Sequence, residues 1–465
     1  MGNRPNVLFF VTDQQRYDWI GMDPRVPVRT PNLKQLADRG VYFRGAVCPS
    51  PICGPSRACL ASGMEYDDCG VLDHTQNYPR DQETLYGRLR DEAGYHVMGC
   101  GKFDLHKPEF NWGVDGQHCL EEWGFSAGRD SAGKWATMNS WAEHDGPNDP
   151  YMAFLDREGL AEAHLADFRR RMRKTPGDTW PTPLPEEAYA DNVVAETGLE
   201  LLTDAPEGDP WFLQVNFSGP HDPWDVTHEM HGWYRDENAV NFPGPAPVGE
   251  RDGYSGEKHN EIRRNYAAMV ENIDRHLGRY REELRERGEW KNTVVVFTSD
   301  HGEMLGDHGL WKKQVPYQPS VGVPLVIGGP GTRDGHVSDE PVSVLDLHAT
   351  TLDYAGLGHD SVDSRSLRPY LAGETDDHRE YVYAGLGSWR MVYDGRHKLI
   401  TGFNPDAGGI DAKMDAGANP LLFDLEGDAF ETTNHASEAP GAVERLRDRI
   451  ETHRTADGMD NRYTS

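Results

Sequence analysis

The 465-residue chain carries 47 basic and 77 acidic side chains, and its formal net charge is −30. This charge argues against nucleic acid or an anionic membrane surface as the main partner, because both would be repelled. Hydrophobic residues form 37% of the chain and charged residues 27%, so wholesale disorder is not expected. An anionic substrate would need a local cationic pocket to offset the general negative field.

The first residues show no pattern of a targeting signal. Met1 to Pro5 lead directly into an apolar run that is too short for a signal peptide, and no run approaches membrane-spanning length. These features predict a cytoplasmic protein without membrane contact. The six cysteines show no CxxC zinc pattern, and they are Cys48, Cys53, Cys59, Cys69, Cys100 and Cys119. The five other than Cys53 are expected to be reduced and mostly structural.

Continuous apolar runs that end abruptly in polar residues are typical of buried parallel strands. Four such runs cover residues 6–12, 95–100, 211–217 and 293–297. Helices are predicted between them, over residues 31–37, 83–93, 187–203 and 261–287. This order predicts an α/β fold with a large, mostly parallel sheet sandwiched between helices.

The pattern changes at about residue 368. Short predicted strands at 381–383, 388–393 and 397–401 are separated by turns, and a terminal helix is predicted over 440–456. We therefore predict a larger α/β domain over residues 1–368. A smaller α+β domain, with an antiparallel sheet and a helix, is predicted over residues 369–465. Residues 109–182, rich in Trp, Gly and Asp, are predicted to be an insertion over the C-terminal edge of the large sheet, where lids usually lie.

The stretch from Pro51 to Gly63 predicts a tight loop that leads into a short helix. Pro55 suits the first helical position and Gly63 suits the helix end. Cys53 is thereby placed just ahead of a helix N-terminus, where free backbone N–H groups favour an anion. Arg57 adds a cation that can pair with a tetrahedral oxyanion, and its spacing from Cys53 is shorter than in a cysteine phosphatase loop. The alternative is a buried structural cysteine beside an ordinary arginine ion pair.

Polar residues able to bind a metal or an anion follow the four predicted strands. They are Asp13 and Gln14, Lys102, His221, and Asp300 with His301. Because the carboxyl ends of parallel strands meet at one edge of a sheet, these side chains are expected to converge on the Cys53 loop. Two carboxylates, an amide oxygen and one imidazole suit Ca²⁺, with Mg²⁺ or Mn²⁺ possible and Zn²⁺ less suitable. The alternatives are a helix cap for Asp13, a surface position for Lys102 and a turn cap for His221.

Six motifs occur in a fixed order along the chain. They are Asp13 with Gln14, Cys53-x-Pro55-Ser56-Arg57, Gly101 with Lys102, Pro220 with His221, Asp300-His301-Gly302, and Trp311-x-Lys313. This order resembles that of the type I sulfatases, a formylglycine-dependent family of the alkaline phosphatase superfamily. The resemblance continues at residues 396–400, 422–426 and 431–434. It spans nearly the whole chain, and the main segments without it are residues 109–182 and 222–260.

The resemblance implies that a separate formylglycine-generating enzyme converts Cys53 to formylglycine during maturation. It implies a metal-dependent hydrolysis of a small-molecule or carbohydrate sulfate ester to an alcohol and inorganic sulfate. One hydroxyl of the hydrated aldehyde would attack sulfur, and the second would expel sulfate as the aldehyde forms again. The implied metal ligands are Asp13, Gln14, Cys53, Asp300 and His301.

The resemblance also implies roles for the cationic side chains and the histidines. Lys102, Lys313 and Arg57 would stabilise the negative oxygens of the transition state. His221 would protonate the leaving alcohol or lie against the ester oxygen. The implied substrate-binding residues are Lys102, His106, His221 and Lys313. Lys312 is the competitor of Lys313 for the inward position.

One motif departs from the family pattern, which has Lys-x-His after the second strand. Here Lys102 is followed by Phe103 and Asp104, with His106 further on. Either His106 reaches the site from a shifted loop or Asp104 takes a different role. The rival activity is that of a phosphonate monoester hydrolase or phosphodiesterase of the same superfamily. A non-catalytic binding protein is the rival from another class.

Overall fold

The computed structural model describes residues 4–171, 177–235, 240–245, 253–359 and 363–456. Its strands are β1 Asn6–Asp13, β2 Gly40–Phe43, β3 Ala46–Val47, β4 His96–Gly101, β5 Ala127–Asp130, β6 Trp211–Pro220, β7 Thr293–Ser299, β8 Leu325–Gly328, β9 His336–Ser338, β10 Val342–Ser343, β11 Val382–Leu386, β12 Trp389–Tyr393, β13 His397–Thr401 and β14 Leu421–Asp424. Residues 172–176 of the predicted insertion and 457–465 of the predicted C-terminal domain lie outside the described residues.

The helices alternate with the strands over most of the chain. They are α1 Pro31–Ala37, α2 Cys53–Ser62, α3 Leu85–Asp91, α4 Ala136–His144, α5 Pro150–Arg157, α6 Ala161–Arg171, α7 Ala190–Thr203, α8 His228–Gly232, α9 Gly256–Glu286, α10 Gln318–Val321, α11 Asp346–Tyr354, α12 Arg368–Leu371, α13 Ile410–Lys413 and α14 Pro440–Ala456. Within the described residues, none of these helices has the length and apolar character needed to cross a membrane.

The large sheet has eight strands in the order β5-β4-β6-β1-β7-β8-β2-β9. The five strands from β5 to β7 run parallel to one another. The four predicted strands are therefore confirmed as parallel neighbours, and their carboxyl ends share one edge. Strand β8 runs antiparallel to both of its neighbours, which makes the sheet mixed but mostly parallel.

Helices cover both faces of this sheet, as the apolar runs predict. Strand β1 is buried along its whole length. Its Val7, Phe9 and Val11 join one hydrophobic cluster with α2, α3 and α11, whereas Leu8 and Phe10 join another with α1, α7 and α9. The alternation of side chains along a strand sends neighbouring residues to opposite faces, so both faces need an apolar cover. The predicted α/β sandwich is confirmed.

The segment 109–182 contributes an edge strand to the sheet. Strand β5 pairs in parallel with β4, and helices α4, α5 and α6 follow it. The apolar side chains of these helices form a cluster of their own, which includes Met152, Leu155, Leu165 and Phe168. The described part of this segment thus holds more regular structure than its weak periodicity indicates.

The C-terminal strands form an antiparallel sheet in the order β11-β12-β13-β14, as predicted. Helix α14 covers one face of it, where Val443, Leu446 and Ile450 pack on the sheet. On the other face, Met391 and Ile400 join the same hydrophobic cluster as the large sheet. The small sheet is therefore packed between its own helix and the larger part of the chain.

Candidate active site

Helix α2 places Cys53 at the centre of the site. The helix begins at Cys53 with Ile52 as the N-cap, so the prediction that Pro55 begins it is wrong by two residues. Pro55 takes the third helical position, where its missing N–H would have had no helical partner in any case. Gly63 ends the helix as predicted, with φ 74°, a left-handed conformation in which a Cβ would lie 2.8 Å from the His348 ring.

Four side chains converge on the sulfur of Cys53. His301 Nε2 lies 3.2 Å from Cys53 Sγ, and Lys102 Nζ and Lys313 Nζ each lie 3.3 Å from it. Asp13 Oδ1 accepts from the thiol at 3.7 Å. Asp13 ends β1, Lys102 follows β4, and His301 follows β7, so the edge shared by these parallel strands brings them together.

The donor atoms fit a hard divalent cation. Asp13, Cys53, Asp300 and His301 are all buried, and each offers a ligand atom within 4.8 Å of the others. Gln14 adds an amide oxygen on the same side, because its Oε1 accepts from Lys313 Nζ at 2.6 Å. Two carboxylates, an amide oxygen and an imidazole provide the oxygen-rich set that Ca²⁺, Mg²⁺ or Mn²⁺ prefers.

Arg57 pairs with the carboxylate of Asp300. Its Nε and Nη2 both lie 2.9 Å from Asp300 Oδ2, while Nη1 donates to Asn216 Oδ1 at 3.1 Å and to the carbonyl of Lys102. Burial raises the pKa of Asp300, although the guanidinium of Arg57 opposes this effect. The structure therefore places Arg57 where it positions a candidate metal ligand.

Positive charge dominates the surroundings of Asp13 and Cys53. Burial and the neighbouring Cys53 raise the pKa of Asp13, but Lys102, His221 and Lys313 lower it well below its ordinary value. Burial likewise raises the pKa of the Cys53 thiol, and Lys102, Lys313 and His301 more than reverse that effect. The site thus stabilises an anion at residue 53.

His221 directly follows β6 and lies beside Lys313. The distance between its Nε2 and Lys313 Nζ is 2.9 Å, and Asp222 Oδ1 is 3.3 Å from its Nδ1. Burial and the Lys313 ammonium lower the pKa of His221 to about 3, so the neutral imidazole accepts a hydrogen bond from Lys313. Of the two competing lysines, Lys313 faces the site, whereas the Lys312 side chain is 55% exposed and lies 3.7 Å from Asp222.

The loop after β4 brings Asp104 close to Lys102. Asp104 Oδ2 lies 3.2 Å from Lys102 Nζ. His106 instead directs Nδ1 to Asp130 Oδ2 at 3.4 Å and Nε2 to the carbonyl of Asn111 at 3.1 Å. Of the two residues left open by the motif departure, Asp104 therefore occupies the position beside the lysine, and the substrate-binding role of His106 stays a prediction.

Glu303 is a site residue that the sequence reasoning missed. This fully buried carboxylate accepts hydrogen bonds from Gln14 Nε2, from Leu305 N at 3.0 Å and from Lys312 N at 2.6 Å. It thereby orients the Gln14 amide and anchors the loop that carries Lys313. The rule that identified Asp300, a polar residue after a buried strand, could also have found it.

Comparison with known proteins agrees with this geometry. The model of the Sulfatase family matches residues 5–357 of the chain. The arylsulfatase of Clostridium perfringens is 27% identical over 418 residues, which cover 86% of this chain and 84% of that protein. The choline-sulfatase of Rhizobium meliloti is 28% identical over 475 residues, which cover 95% of this chain and 84% of that protein.

The solved structure of a phosphonate monoester hydrolase from Agrobacterium radiobacter has the same fold. It superposes with a TM-score of 0.78 at 24% identity, covering 97% of this chain and 96% of that one. The family match extends over all of the large sheet and the assembled side chains described above. The chain therefore belongs to the sulfatase family of hydrolases.

Proposed function

We propose that this sulfatase is metal dependent and hydrolyses a sulfate monoester with residue 53, converted to formylglycine, as its nucleophile. The observation that carries the proposal is the convergence of two lysines, an imidazole and a carboxylate on Cys53 Sγ within 3.7 Å. Asp13, Lys102 and His301 come from three separate strand ends and Lys313 from the loop between β7 and β8. A cysteine that served packing alone would not need them.

The two lysines explain how an anionic substrate binds in an acidic protein. Lys102 and Lys313 each lie 3.3 Å from Cys53 Sγ, so a sulfate group that approaches residue 53 meets two ammonium groups. Charges on fixed, buried groups interact more strongly than in water, and they do not need to reorganise during the reaction. The lysines therefore stabilise the negative oxygens around sulfur while its bond to the alcohol breaks.

The carboxylates form the candidate cation site. A divalent cation held by Asp13, Gln14, Asp300 and His301 would supply Lewis-acid activation of residue 53 and neutralise substrate charge. Arg57 fixes the Asp300 carboxylate at 2.9 Å, and the backbone N–H of Gln14 donates to Asp300 Oδ1 at 3.1 Å. The backbone N–H of His301 also donates to Asp300 Oδ1, at 2.9 Å, so three residues hold this carboxylate beside the other candidate ligands.

Lys313 and His221 are placed to supply a proton to the leaving alcohol. Their nitrogens are 2.9 Å apart, which allows the pair to share a proton beside the sulfate position. When the S–O bond to the alcohol breaks, this proton neutralises the developing alkoxide. Formylglycine, when hydrated, would supply two hydroxyls at residue 53. One would bond to sulfur as the S–O bond to the alcohol breaks, and loss of the proton from the other would re-form the aldehyde and release sulfate.

The names of the relatives indicate two classes of substrate. The similar proteins are named arylsulfatase and choline-sulfatase, which indicates a small-molecule sulfate ester for this chain. A carbohydrate ester is the other option, since one related enzyme is named N-acetylglucosamine-6-O-sulfatase.

Parallel assays test the proposal and its closest rival. The protein is produced with and without a formylglycine-generating enzyme, and the mass of the peptide carrying residue 53 is measured. Each preparation is then assayed with 4-nitrophenyl sulfate and with a phenyl phosphonate monoester, with and without chelator. We expect only the modified protein to turn over the sulfate ester efficiently, with loss of activity in chelator and recovery with Ca²⁺.

Two outcomes would contradict the proposal. A higher kcat/KM for the phosphonate ester would favour the phosphonate monoester hydrolase. Equal sulfate turnover by protein with unmodified Cys53 would exclude formylglycine as the nucleophile.

A further inference from the structure

A cavity of about 720 Å³ lies beside the two loops that carry Cys53 and Lys313. Ile52, which directly precedes Cys53, and Gln314, which directly follows Lys313, both line it. The N–H of Gln314 donates to the carbonyl of Pro51 at 3.2 Å, so the two loops meet at this wall. The opposite wall comes from the C-terminal part of the chain, through the β11–β12 hairpin and helix α13.

We propose that this cavity holds the alcohol half of the sulfate ester. We further propose that its lining selects a compact alcohol without additional anionic groups and favours one that carries a positive charge. The inference rests on the proposed sulfatase function, because it concerns the part of the ester that leaves.

The apolar side of the cavity sets the size and character of this alcohol. Ile52, Leu72, Leu386 and Met414 contribute apolar side chains to the lining, and Tyr66 adds an aromatic ring. The volume lies within the range of sites that enclose small molecules. Burial of apolar surface against these side chains favours a compact group with carbon surface of its own, such as an alkyl, aryl or methylated ammonium group.

The charged residues of the lining are unsuited to a second anion. Arg390 is the one cation among the described lining residues, and its guanidinium is fully engaged. Its Nε donates to Asp67 Oδ2 at 2.8 Å and its Nη2 to Asp67 Oδ1, while Nη1 donates to the carbonyls of Gly387 at 2.9 Å and Trp389 at 2.6 Å. Asp67 therefore already neutralises this arginine.

Two further carboxylates line the cavity, those of Asp73 and Asp411. Both residues are exposed, and Asp73 Oδ1 accepts from the backbone N–H and the hydroxyl of Thr75 at 2.7 and 2.6 Å. The lining thus adds negative charge to a molecule whose formal net charge is already −30. A second sulfate on the substrate would be repelled here, whereas a cationic group would be attracted.

The experiment compares three sulfate esters that differ in the charge of the alcohol. They are a quaternary-ammonium alkyl sulfate, the neutral 4-nitrophenyl sulfate, and a disulfated disaccharide. Values of kcat/KM are measured for the parent enzyme and for the double variant Asp73→Asn with Asp411→Asn. The control, Glu207→Gln with Asp209→Asn, changes the net charge equally on the exposed loop before β6, at the end of the sheet opposite the site.

We expect the parent to prefer the cationic ester over the disulfated sugar. The pocket variant should lose about fivefold in kcat/KM for the cationic ester, as exposed charge pairs typically give, and change by less than about twofold for the neutral ester. The control variant should keep the parent's ratio of cationic to neutral ester.

The assays distinguish failure of the proposed sulfatase function from failure of the pocket assignment. A parent enzyme that hydrolyses none of the three esters would overturn the proposed function itself. If the neutral ester is turned over but the parent prefers the disulfated sugar, or the pocket variant keeps the parent's ratio of cationic to neutral ester, the pocket assignment is wrong and the proposed function stands.

Discussion

The side chains around Cys53 form one charge network rather than separate pairs. Lys102 contacts both Asp13 and Asp104, and Lys313 contacts Gln14 and His221 while both lysines reach the sulfur. Each lysine therefore contacts both a candidate metal ligand and the sulfur of Cys53. Removal of one member is expected to change the orientation and the charge of its neighbours, which makes single substitutions here non-additive.

The role of Glu303 in orienting the Gln14 amide can be tested by substitution. In Glu303→Gln the new amide cannot accept hydrogen bonds from all three donors that the carboxylate holds, so the Gln14 amide loses its fixed orientation. We expect Ca²⁺ affinity, measured by titration calorimetry, to fall about 10- to 100-fold, as for other residues that orient metal ligands. Glu207→Gln, on the surface, serves as the control. Unchanged affinity in Glu303→Gln would show that Gln14 needs no such support.

The candidate site was predictable where a residue's position in the fold decides its role. Asp13, Lys102 and Asp300 lie at the carboxyl ends of buried strands, so the geometry of a parallel sheet determines where they lie. The direction of a side chain in a loop is a different matter. Arg57 faces Asp300, and His106 faces Asp130 instead of Lys102, through contacts with distant segments that sequence spacing does not reveal.

At the scale of elements, the end of β4 depends on a glycine. Gly101 has φ 86°, and a Cβ added there would lie 1.9 Å from the carbonyl oxygen of Asn216 in β6. The next residue, Lys102, donates its N–H to that same carbonyl at 3.1 Å. The close approach of the end of β4 to the middle of β6 therefore places the lysine at the site.

The variant Gly101→Ala should push the end of β4 away from Asn216 in β6 and displace Lys102. We expect kcat/KM for a sulfate ester to fall by about 100-fold, in line with the effect of small displacements of catalytic groups. Gly94→Ala is a matched control, because Gly94 also has a positive φ of 66° but nothing within 4 Å of its added Cβ. Equal activity of the two variants would disprove the role assigned to the close approach.

Glu65, in the loop after α2, links stability to pH. Burial raises its pKa to about 8, although Arg379 opposes the shift. The folded protein therefore keeps a proton on Glu65 that the unfolded chain releases near its ordinary value of 4.5. Because the folded state binds more protons between these values, the stabilising contribution of this group is present at low pH and is lost as pH rises towards 8.

We therefore expect Glu65→Gln, which stays neutral, to reduce the fall in Tm between pH 5 and pH 8.5. At the higher pH the variant should melt above the parent by on the order of a few degrees. Thermal unfolding at both pH values, with the exposed Glu143→Gln as control, measures this difference. A Tm that falls equally in the parent and in Glu65→Gln would contradict the buried protonated state.

Strand β5 is an element that the sequence did not predict. Its four residues, Ala127 to Asp130, alternate between half-exposed or exposed and buried positions at the sheet edge and include a glycine and two charged residues. Strands β1, β6 and β7 are recognisable in the sequence as continuous apolar runs, because both of their faces are buried. An edge strand with one covered face and four residues carries too little apolar signal to separate it from a loop.

At the scale of the whole molecule, a buried ion pair joins the small sheet to the larger part of the chain. Lys398 in β13 lies 2.7 Å from Glu431, both side chains are fully buried, and Glu431 also accepts from the backbone N–H of Gln318 in α10. Trp389 adds a hydrogen bond from its indole N–H to the carbonyl of Gln314 at 3.2 Å. The loop that carries Lys313 is therefore supported from the C-terminal sheet.

Lys398→Ala should leave the Glu431 carboxylate buried without its partner, at a cost of about 3–5 kcal/mol in the free energy of unfolding. The double variant Lys398→Met with Glu431→Gln removes both charges and keeps an acceptor for Gln318, so it should be markedly less destabilised. Denaturant unfolding of both variants tests the pair. If the single variant proves as stable as the double variant, the buried pair is not the link between the two parts.

In the proposed mechanism, residue 53 carries the nucleophilic atom, and the charged side chains at the strand ends surround it. The most direct test of this assignment is the release of inorganic sulfate from a sulfate monoester, followed side by side for the parent and for Cys53→Ala. We expect sulfate release by the parent and loss of essentially all turnover in Cys53→Ala, with thermal unfolding close to that of the parent. Sulfate release at the parent's rate from a folded Cys53→Ala protein would contradict the assignment.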